Sequence, residues 1–426
     1  MINSYLKTQT NIQKLIEQSL LGVRQNQNTS HTAPNVSSAP IVTLVDRIIQ
    51  SALALRASDI HLDPAENQVR VRLRIDGRLS ELPPALPLEL KDILLARIKV
   101  MAQLDTTVHH LPLDGRITYP FHDGSIDIRV STMPVLDGEK IVLRLLNREQ
   151  HLRTLGELDF SPANMALFHR WCHAPYGLIL NVGPVNSGKT TSLYAALNLL
   201  NSPEKNIVTI EDPVEYYLPG INQVQVNAKV GLSFARGLRA LLRQDPDICM
   251  VGEIRDEETA EIAVRAALTG RLLFTTLHTG NAAGAVFRLL DMGIRPYFLS
   301  AALLGITAQR LVRRICPACR KEYEIVAGSP EAVFLGDKYH QGVTAFQANG
   351  CDKCRGTGYQ GRLAIHELLT FSERIQTAIM AGEKMKAIET EAIREGMIPL
   401  RRDGIEKALA GKTTLEEIRR GLYGDV

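Results

Sequence analysis

The stretch LILNVGPVNSGKTTSLYAALN, residues 178–198, decides the fold of the second half of the chain. An apolar run leads into a loop that contains Gly183 and Gly188, and a helical pattern follows this loop. The loop satisfies G-x-x-x-x-G-K-[ST] in the strand-to-helix context that the pattern requires. Such a loop turns successive backbone N–H groups inward around phosphate oxygens, and the positive end of the following helix adds to their field. The sequence therefore predicts a binding site for a polyphosphate.

The residues of this phosphate loop indicate which ligands it takes. Lys189 can bridge the β- and γ-phosphates of a nucleotide, while the Thr190 hydroxyl can coordinate Mg²⁺. We therefore expect ATP and Mg²⁺. The alternative, an ordinary strand-to-helix turn, would require a chance match in the right context. The predicted nucleotide-binding residues are Gly183, Pro184, Val185, Asn186, Ser187, Gly188, Lys189, Thr190 and Thr191.

Length, charge and apolar patterning exclude several classes of protein. The 426 residues exceed one compact core, because domains usually contain about 100–200 residues. The formal net charge of +3 provides no global field for holding nucleic acid or an anionic membrane. No window approaches about 18 consecutive apolar residues, and the N-terminus lacks a signal-peptide pattern. These features predict a cytosolic protein without a transmembrane segment and make nucleic-acid binding improbable.

Changes of composition and periodicity divide the chain into segments. Four apolar runs in the second half, GLILNVG, NIVTIED, DICMVGE and RLLFTTLH, alternate with helical patterns. This alternation predicts an α/β fold with a parallel sheet, covered by helices, that binds ligands outside the carboxyl ends of its strands. The predicted segments are 1–40, a short amphipathic helix and flexible linker; 41–147, an α+β domain; 148–158, a connection; 159–315, the ATPase core; 316–368, a cysteine-bearing metal segment; and 369–426, a helical segment.

Polar residues follow each of the four apolar runs. Glu253 comes directly after a buried-strand pattern, where a carboxylate beside the phosphate loop can orient the attacking water. Glu211 and Asp212 end another run, although a helix N-cap with a charged first turn is the commoner fate of such residues. His278 ends a third run and could sense the γ-phosphate, although a lone histidine is more often structural. Their convergence on one sheet edge favours a catalytic site.

Four of the six cysteines form two C-x₂-C pairs. Four thiolates suit a tetrahedral zinc ion, and such a site is structural because no coordination position stays open for water. The pairs are separated by residues 320–350, which exceeds the common zinc-ribbon spacing and weakens the interpretation from spacing alone. Cys172 and Cys249 are expected to be ordinary apolar residues. The predicted zinc ligands are Cys316, Cys319, Cys351 and Cys354.

Together these motifs resemble the hexameric ATPases that drive type II secretion and type IV pilus assembly. The resemblance covers nearly all of 41–426. It implies a RecA-like ATPase core, a smaller PAS-like α+β domain before it, and a zinc-binding and helical segment after it. It rests on the phosphate loop, the paired cysteines and the stretches ASDIHLDP, RLRIDG, LDGRI, TIEDPVE, LRALLRQDPDICMVGEIRDEETAEIAVRAALTGRLLFTTLHT and GMIPLRRDGIEKALAGKTTLEEIRRG.

The resemblance also implies roles for individual residues. Glu253 would be the catalytic glutamate of an atypical Walker B motif, with Glu211 and Asp212 assisting at magnesium or water. Arg129 and Arg144 of the first domain would reach nucleotide phosphates, for which the planar guanidinium fork is suited. From sequence alone, a salt bridge on a strand surface is the more natural expectation for both arginines. The tetracysteine motif of the family supports zinc as the bound metal.

The chain departs from the family pattern in three places. Val185 and Asn186 occupy the centre of the phosphate loop, where the family usually has GPTGSGKTT, but asparagine tolerates left-handed backbone geometry. Leu113 replaces a glutamine before DGR, and Gly280 replaces an asparagine after His278-Thr279. A further N-terminal docking domain, present in many members, is expected to be replaced by the short helix and linker.

The leading prediction is a cytoplasmic homo-hexamer that hydrolyses ATP to move an inner-membrane platform protein, with which it associates peripherally. Relatives that retract pili typically lack the tetracysteine segment, so the cysteines favour pilus assembly or protein secretion. A low-turnover, nucleotide-dependent scaffold is one alternative, motivated by Val185 and Asn186. A conjugation-type motor that transfers DNA is another, and the near-neutral charge and lack of a basic-aromatic tract weaken it.

Overall fold

The computed structural model describes residues 13–21, 39–122, 124–146 and 153–424. The chain divides into two compact units, Met1–His151 and Leu152–Val426. Of the predicted helix and linker at 1–40, the structure describes residues 13–21 and residues 39 and 40, which begin the next helix. The predicted connection at 148–158 is described only from residue 153 onward. No helix of the described ranges is both long and apolar enough to cross a membrane.

The first unit is an antiparallel sheet packed with helices, as the predicted α+β domain requires. Its sheet has the order β3-β2-β1-β7-β6-β5, with β4 beside β2, and every neighbouring pair is antiparallel. The strands are β1 (Ala57–Ala65), β2 (Gln68–Ile75), β3 (Arg78–Glu81), β4 (Leu86–Pro87), β5 (Leu113–Phe121), β6 (Gly124–Val135) and β7 (Gly138–Leu146). The helices are α1 (residues 13–21), α2 (Ala39–Ala54) and α3 (Lys91–Met101).

The hydrophobic periodicity of α2 explains how this unit packs. Its buried residues recur at helical spacing along one face that joins the core of the sheet. Ile16 of α1 is buried in the same core, so this helix packs on its own unit. The buried apolar residues of α2 are Ile41, Leu44, Val45, Ile48, Ile49 and Ala52.

The second unit contains a sheet of the order β10-β9-β11-β12-β8-β13-β16. All neighbouring strands in it are parallel except β13 and β16. Every residue of β8, β9, β11 and β12 is buried, which explains their continuous apolar runs and confirms the four predicted strands. The strands of this sheet are β8 (Gly177–Val182), β9 (Ile207–Glu211), β10 (Asn222–Gln225), β11 (Ile248–Val251), β12 (Leu272–Leu277), β13 (Leu303–Ile315) and β16 (Tyr359–Thr370). A separate two-stranded sheet consists of β14 (Lys321–Glu324) and β15 (Thr344–Gln347).

Helices cover both faces of this sheet. One core contains Trp171 of α4 and Leu193 of α5, and the opposite core contains Leu238 of α6 and Val286 of α8. The stretch 369–426, for which a helical segment is predicted, contains α11 to α14. The helices are α4 (Pro162–Cys172), α5 (Lys189–Leu200), α6 (Phe234–Leu241), α7 (Glu257–Leu268), α8 (Ala282–Asp291), α9 (Pro296–Ala302), α10 (Pro330–Leu335), α11 (Glu373–Met380), α12 (Met385–Arg394), α13 (Leu400–Leu409) and α14 (Leu415–Tyr423).

Two features of the second unit differ from the sequence analysis. The strands β13 and β16 pair antiparallel and extend the central sheet, so β16 belongs to the core although most of it lies within the predicted metal segment 316–368. The cysteine-bearing stretch is therefore an excursion between the two strands of a long hairpin. Leu155 and Leu158, in the predicted connection, are buried in the core of the second unit because they pack with Trp171 and its neighbours.

Candidate active site at the carboxyl edge of the parallel sheet

The phosphate loop connects β8 to α5 and has the backbone conformation that its sequence predicts. Gly188 and Asn186 adopt left-handed conformations, with φ of +86° and +63°. Asparagine is one of the few side-chain-bearing residues that visit this region readily, so the altered loop keeps its turn. Val185 is 72% exposed and leaves the interior of the loop clear.

Lys189 is the first residue of α5 and is buried under the loop. Its Nζ donates hydrogen bonds to the carbonyl oxygens of Gly183, at 2.8 Å, and Pro184, at 2.9 Å. Burial lowers the pKa of Lys189 to about 8, against the opposing effect of the charge on Glu253. An ammonium group held in this way can turn from the loop carbonyls to phosphate oxygens without leaving the loop.

Glu253 lies just beyond the end of β11 with its carboxylate held from both sides. Arg255 Nε donates to Oε1 of Glu253 at 2.7 Å, and His278 Nε2 lies 3.1 Å from Oε2. Arg255 Nη1 also donates to Asp212 Oδ2, at 3.3 Å. These contacts join the ends of three neighbouring strands, β9, β11 and β12, in one cluster.

The charge balance of this cluster keeps Glu253 ionised. Burial opposes ionisation, but the hydrogen bonds and charges of Arg255 and His278 outweigh it and lower the pKa of Glu253. The carboxylate and the phosphate loop lie at the same edge of the sheet, because β11 and β8 are both parallel neighbours of β12, and the Glu253 charge raises the pKa of Lys189. An ionised, fixed carboxylate beside a phosphate loop is suited to orient a water molecule for attack. The structure thus brings together the predicted residues Lys189, Glu253, Asp212 and His278.

Glu211 lies apart from this cluster, although the sequence analysis grouped it with Asp212. It is 2% exposed, and its Oε1 accepts hydrogen bonds from Thr209 Oγ1 at 2.5 Å and Gln223 Nε2 at 3.2 Å. Its other oxygen accepts a hydrogen bond from the hydroxyl of Tyr194. Burial raises the pKa of Glu211 against these hydrogen bonds. The contacts favour a structural role for Glu211 over the expected role at magnesium or water.

Arg129 and Arg144 lie in the first unit, directly opposite each other on β6 and β7. Arg116 on β5 is opposite Arg129, so the three guanidinium groups lie in a row across one face of the sheet. Arg144 Nε also donates to Asp59 Oδ1 at 3.3 Å, which is the strand-surface salt bridge considered from the sequence. The role of both arginines at nucleotide phosphates stays a prediction.

The four predicted zinc ligands form one cluster. Their sulfur atoms all lie within 4.8 Å of one another, with separations of 3.9 Å for Cys316–Cys351 and 3.7 Å for both Cys319–Cys354 and Cys351–Cys354. Tetrahedral zinc with bonds of about 2.3 Å places its sulfur ligands about 3.8 Å apart, so the cluster fits the ion. Cys354 Sγ also accepts hydrogen bonds from the backbone nitrogens of Cys351 and Gly358, which favours a thiolate.

The remaining cysteines behave as the sequence analysis expects. Cys172 and Cys249 are buried in the apolar cores on the two faces of the second sheet. Burial raises the pKa of each thiol to about 12, which makes both unreactive near neutral pH.

Three side chains of the site were missed by the sequence analysis. Arg255 stands two residues after Glu253 in the quoted motif, and this spacing could have indicated it. Gln309 contacts the phosphate loop, and Arg310 Nη2 donates to the carbonyl oxygen of Gly280 at 2.9 Å. Both come from β13, far from the loop in sequence, and no local signal marks them.

A parallel sheet whose first strand leads into a phosphate loop, with an ionised glutamate at the end of another strand, defines a P-loop ATPase. The chain belongs to the Type II/IV secretion system protein family, whose family model matches residues 35–420.

Curated relatives in this family agree with that assignment. The chain is 48% identical over 383 residues to the type II secretion system protein E of Dickeya dadantii, covering 90% of this chain and 76% of that protein. It is 47% identical over 374 residues to the type IV pilus assembly ATPase PilB of Thermus thermophilus, covering 88% of this chain and 42% of that protein. As a member of this family, the chain is an ATPase.

Solved structures have the same α/β secretion ATPase fold. The X-ray structure of the Legionella pneumophila ATPase DotB is similar with a TM-score of 0.68 and 22% identity, covering 90% of this chain and 96% of that one. The crystal structure of the pilus retraction motor PilT with bound ADP is similar with a TM-score of 0.59 and 26% identity, covering 88% of this chain and 95% of that one.

Proposed function

We propose that this ATPase is a hexameric cytoplasmic motor that powers type IV pilus assembly or type II secretion through an inner-membrane platform protein. The observation that carries the proposal is the Glu253 carboxylate, fixed by Arg255 and His278 within electrostatic reach of Lys189. The relatives named type II secretion system protein E and type IV pilus assembly ATPase PilB support a role in secretion or pilus assembly.

Each side chain of the site has a part in this proposal. The loop N–H groups and Lys189 bind the β- and γ-phosphates, and Glu253 orients the water that attacks the γ-phosphate. The Thr190 hydroxyl would hold Mg²⁺, which would supply positive charge to neutralise the phosphates. Arg129 and Arg144 neutralise charge that develops in the transition state. Asp212 keeps Arg255 oriented toward Glu253, since Arg255 contacts both carboxylates.

The finer assignment of the domains is part of the same proposal. The second unit is a RecA-like core, and the first unit is a PAS-like domain that carries Arg129 and Arg144. Zinc at the four cysteines would join the two ends of the excursion between β13 and β16, and it would be structural, because four thiolates complete its tetrahedral shell.

The geometry of the loop weakens the motivation for the scaffold alternative. That alternative was motivated by Val185 and Asn186, which replace the usual residues at the centre of the loop. Asn186 takes the left-handed conformation of the lost glycine, and Val185 is exposed. Neither side chain therefore occupies the space where phosphate groups would bind.

The test is Mg²⁺-dependent phosphate release by the purified ring, whose hexameric mass is measured in the same preparation. We expect the wild type to be active, Glu253→Gln to bind ATP without turnover, and Lys189→Ala to lose both. Glu261→Gln is the matched control, because it neutralises an exposed carboxylate that is paired with Arg265. A well-formed wild-type ring that releases no phosphate, even with the cytoplasmic part of its membrane partner present, would support the scaffold instead.

A further inference from the structure

Gln309 lies in the middle of β13, directly behind the phosphate loop, and is 2% exposed. Its Nε2 donates a hydrogen bond to the backbone carbonyl oxygen of Ser187 at 2.7 Å. Its Oε1 accepts hydrogen bonds from Asn181 Nδ2 at 3.2 Å and from Ser192 Oγ at 2.9 Å. One buried amide therefore joins the strand before the loop, the loop itself and the helix after it.

The loop also rests closely against this strand. A Cβ atom on Gly183 would lie 2.5 Å from the backbone oxygen of Gln309, and one on Gly188 would lie 2.8 Å from its Nε2. Real Cβ atoms essentially never come so close to another heavy atom. Both glycines of the motif are therefore needed for the approach of β13 as well as for their backbone conformation.

The hydrogen bond to Ser187 determines where a neighbouring N–H group points. The carbonyl of Ser187 and the N–H of Gly188 belong to one planar trans peptide unit, so they point in opposite directions. Because the carbonyl is held by Gln309 behind the loop, the Gly188 N–H points away from β13 and into the loop. An inward N–H is the group with which such loops bind phosphate.

An amide meets these requirements better than related side chains. The Ser187 carbonyl can only accept a hydrogen bond, so Nε2 must face it, and Oε1 is then left for the two donors. A carboxylate would put an oxygen against this carbonyl. A thioether has no N–H to donate to the carbonyl and is only a weak acceptor for the two donors. We propose that Gln309 is a positioning residue that aims the Gly188 N–H at a nucleotide phosphate. The proposal rests on the phosphate loop being the ATP site.

The test uses the full chain and measures ADP affinity, together with the KM for ATP and kcat, in Gln309→Glu and Gln309→Met. Both variants keep the length of the side chain. We expect the Kd for ADP and the KM for ATP to rise about tenfold or more. The buried Ser187 carbonyl oxygen loses its hydrogen-bond donor, and the Gly188 N–H is no longer held in the orientation that binds phosphate. The rise should be larger for Gln309→Glu, since it adds negative charge behind the phosphates.

The control is Thr275→Val, an isosteric change on the opposite face of the same sheet. The Thr275 hydroxyl is buried and has no hydrogen-bond partner within the described part of the chain, so its removal should leave binding unchanged. A purely structural effect would lower the folded fraction, and thus kcat, without changing KM. Unchanged KM and Kd in folded Gln309 variants would overturn the proposal.

Two further variants cover the cases in which the first result is ambiguous. If both Gln309 variants fail to fold, Ser192→Ala removes only one hydrogen bond to the Gln309 amide. We expect it to weaken ADP binding about two- to fivefold. If they fold, Ser192→Ala should add nothing in the Gln309→Met background, because its effect passes through Gln309. ADP binding that survives Lys189→Ala would instead show that the loop is not the nucleotide site, which is a failure of the proposed function.

Discussion

Replacing Arg255 with leucine should reduce turnover and shift its pH dependence. Arg255 holds one oxygen of Glu253 and also contacts Asp212, so it fixes the catalytic carboxylate in place and keeps it ionised. Removing it leaves His278 Nε2 as the hydrogen-bond partner of the Glu253 carboxylate at the sheet edge. The carboxylate should then rotate more freely and take up a proton more readily.

The size of the effect follows from the exposure of the pair. The Arg255 side chain is 55% exposed and that of Glu253 is 17% exposed, so water screens their attraction on one side. An exposed ion pair is worth about 0.2–1 kcal/mol, and one pKa unit corresponds to about 1.4 kcal/mol. We therefore expect the pKa of Glu253 to rise only modestly when Arg255 is removed. The loss of orientation should lower kcat further, by about tenfold near neutral pH.

The assay is steady-state phosphate release measured across the acid limb of the pH profile. Since Arg255 lowers the pKa of Glu253, the ionised form persists to lower pH in the wild type, and the variant should lose activity at a higher pH. Arg265→Leu is the control, because it removes an exposed arginine that is paired on the surface of α7. An Arg255→Leu enzyme with the acid limb and kcat of this control would refute the reasoning.

Three further outcomes are expected. The pKa of Lys189, about 8, predicts that calorimetric ADP affinity is highest below that pH and falls by up to about tenfold per pH unit above it, because phosphate binds the ammonium form; constant affinity would contradict this. Cys316→Ser should lose its zinc in metal analysis and unfold at a lower temperature, whereas unchanged zinc content would exclude this metal site. His366 is fully buried, and neither of its ring nitrogens has a hydrogen-bond partner within the described residues. Burial lowers the pKa of His366 well below 6.5, so the unfolded chain takes up a proton that the native state excludes, and stability falls as pH drops below that value. His366→Leu should flatten this decline in urea unfolding, by up to about 1.4 kcal/mol per pH unit; an unchanged slope would contradict the assignment.

Much of the active site could be predicted because its signals are local. The phosphate loop carries its own strand, turn and helix pattern within 178–198, and each predicted parallel strand is a continuous buried run. Parallel strands bring their carboxyl ends to one edge, so the meeting of Glu253 with His278 followed from topology. The tetracysteine cluster followed from the two C-x₂-C pairs and the family pattern.

Other parts depend on contacts that no local pattern contains. Gln309 meets Asn181 across 128 residues of sequence, on a strand whose arginine-containing pattern is unlike the other buried runs. Glu211 and Asp212 are adjacent in sequence, but Glu211 is the last residue of β9, whereas Asp212 is the first residue beyond the strand. Glu211 consequently meets Tyr194 of α5, while Asp212 meets Arg255. Sequence alone could not tell which of the two acidic residues faces the site.

The most direct test of the central claim is single-turnover hydrolysis of ATP by Glu253→Gln, with protein in excess over nucleotide and Mg²⁺ present. The account predicts that the bound nucleotide stays ATP, with a Kd close to that of the wild type and hydrolysis slower by about 100-fold or more. Conversion to ADP at the wild-type rate would show that Glu253 does not orient the attacking water, and would contradict the account.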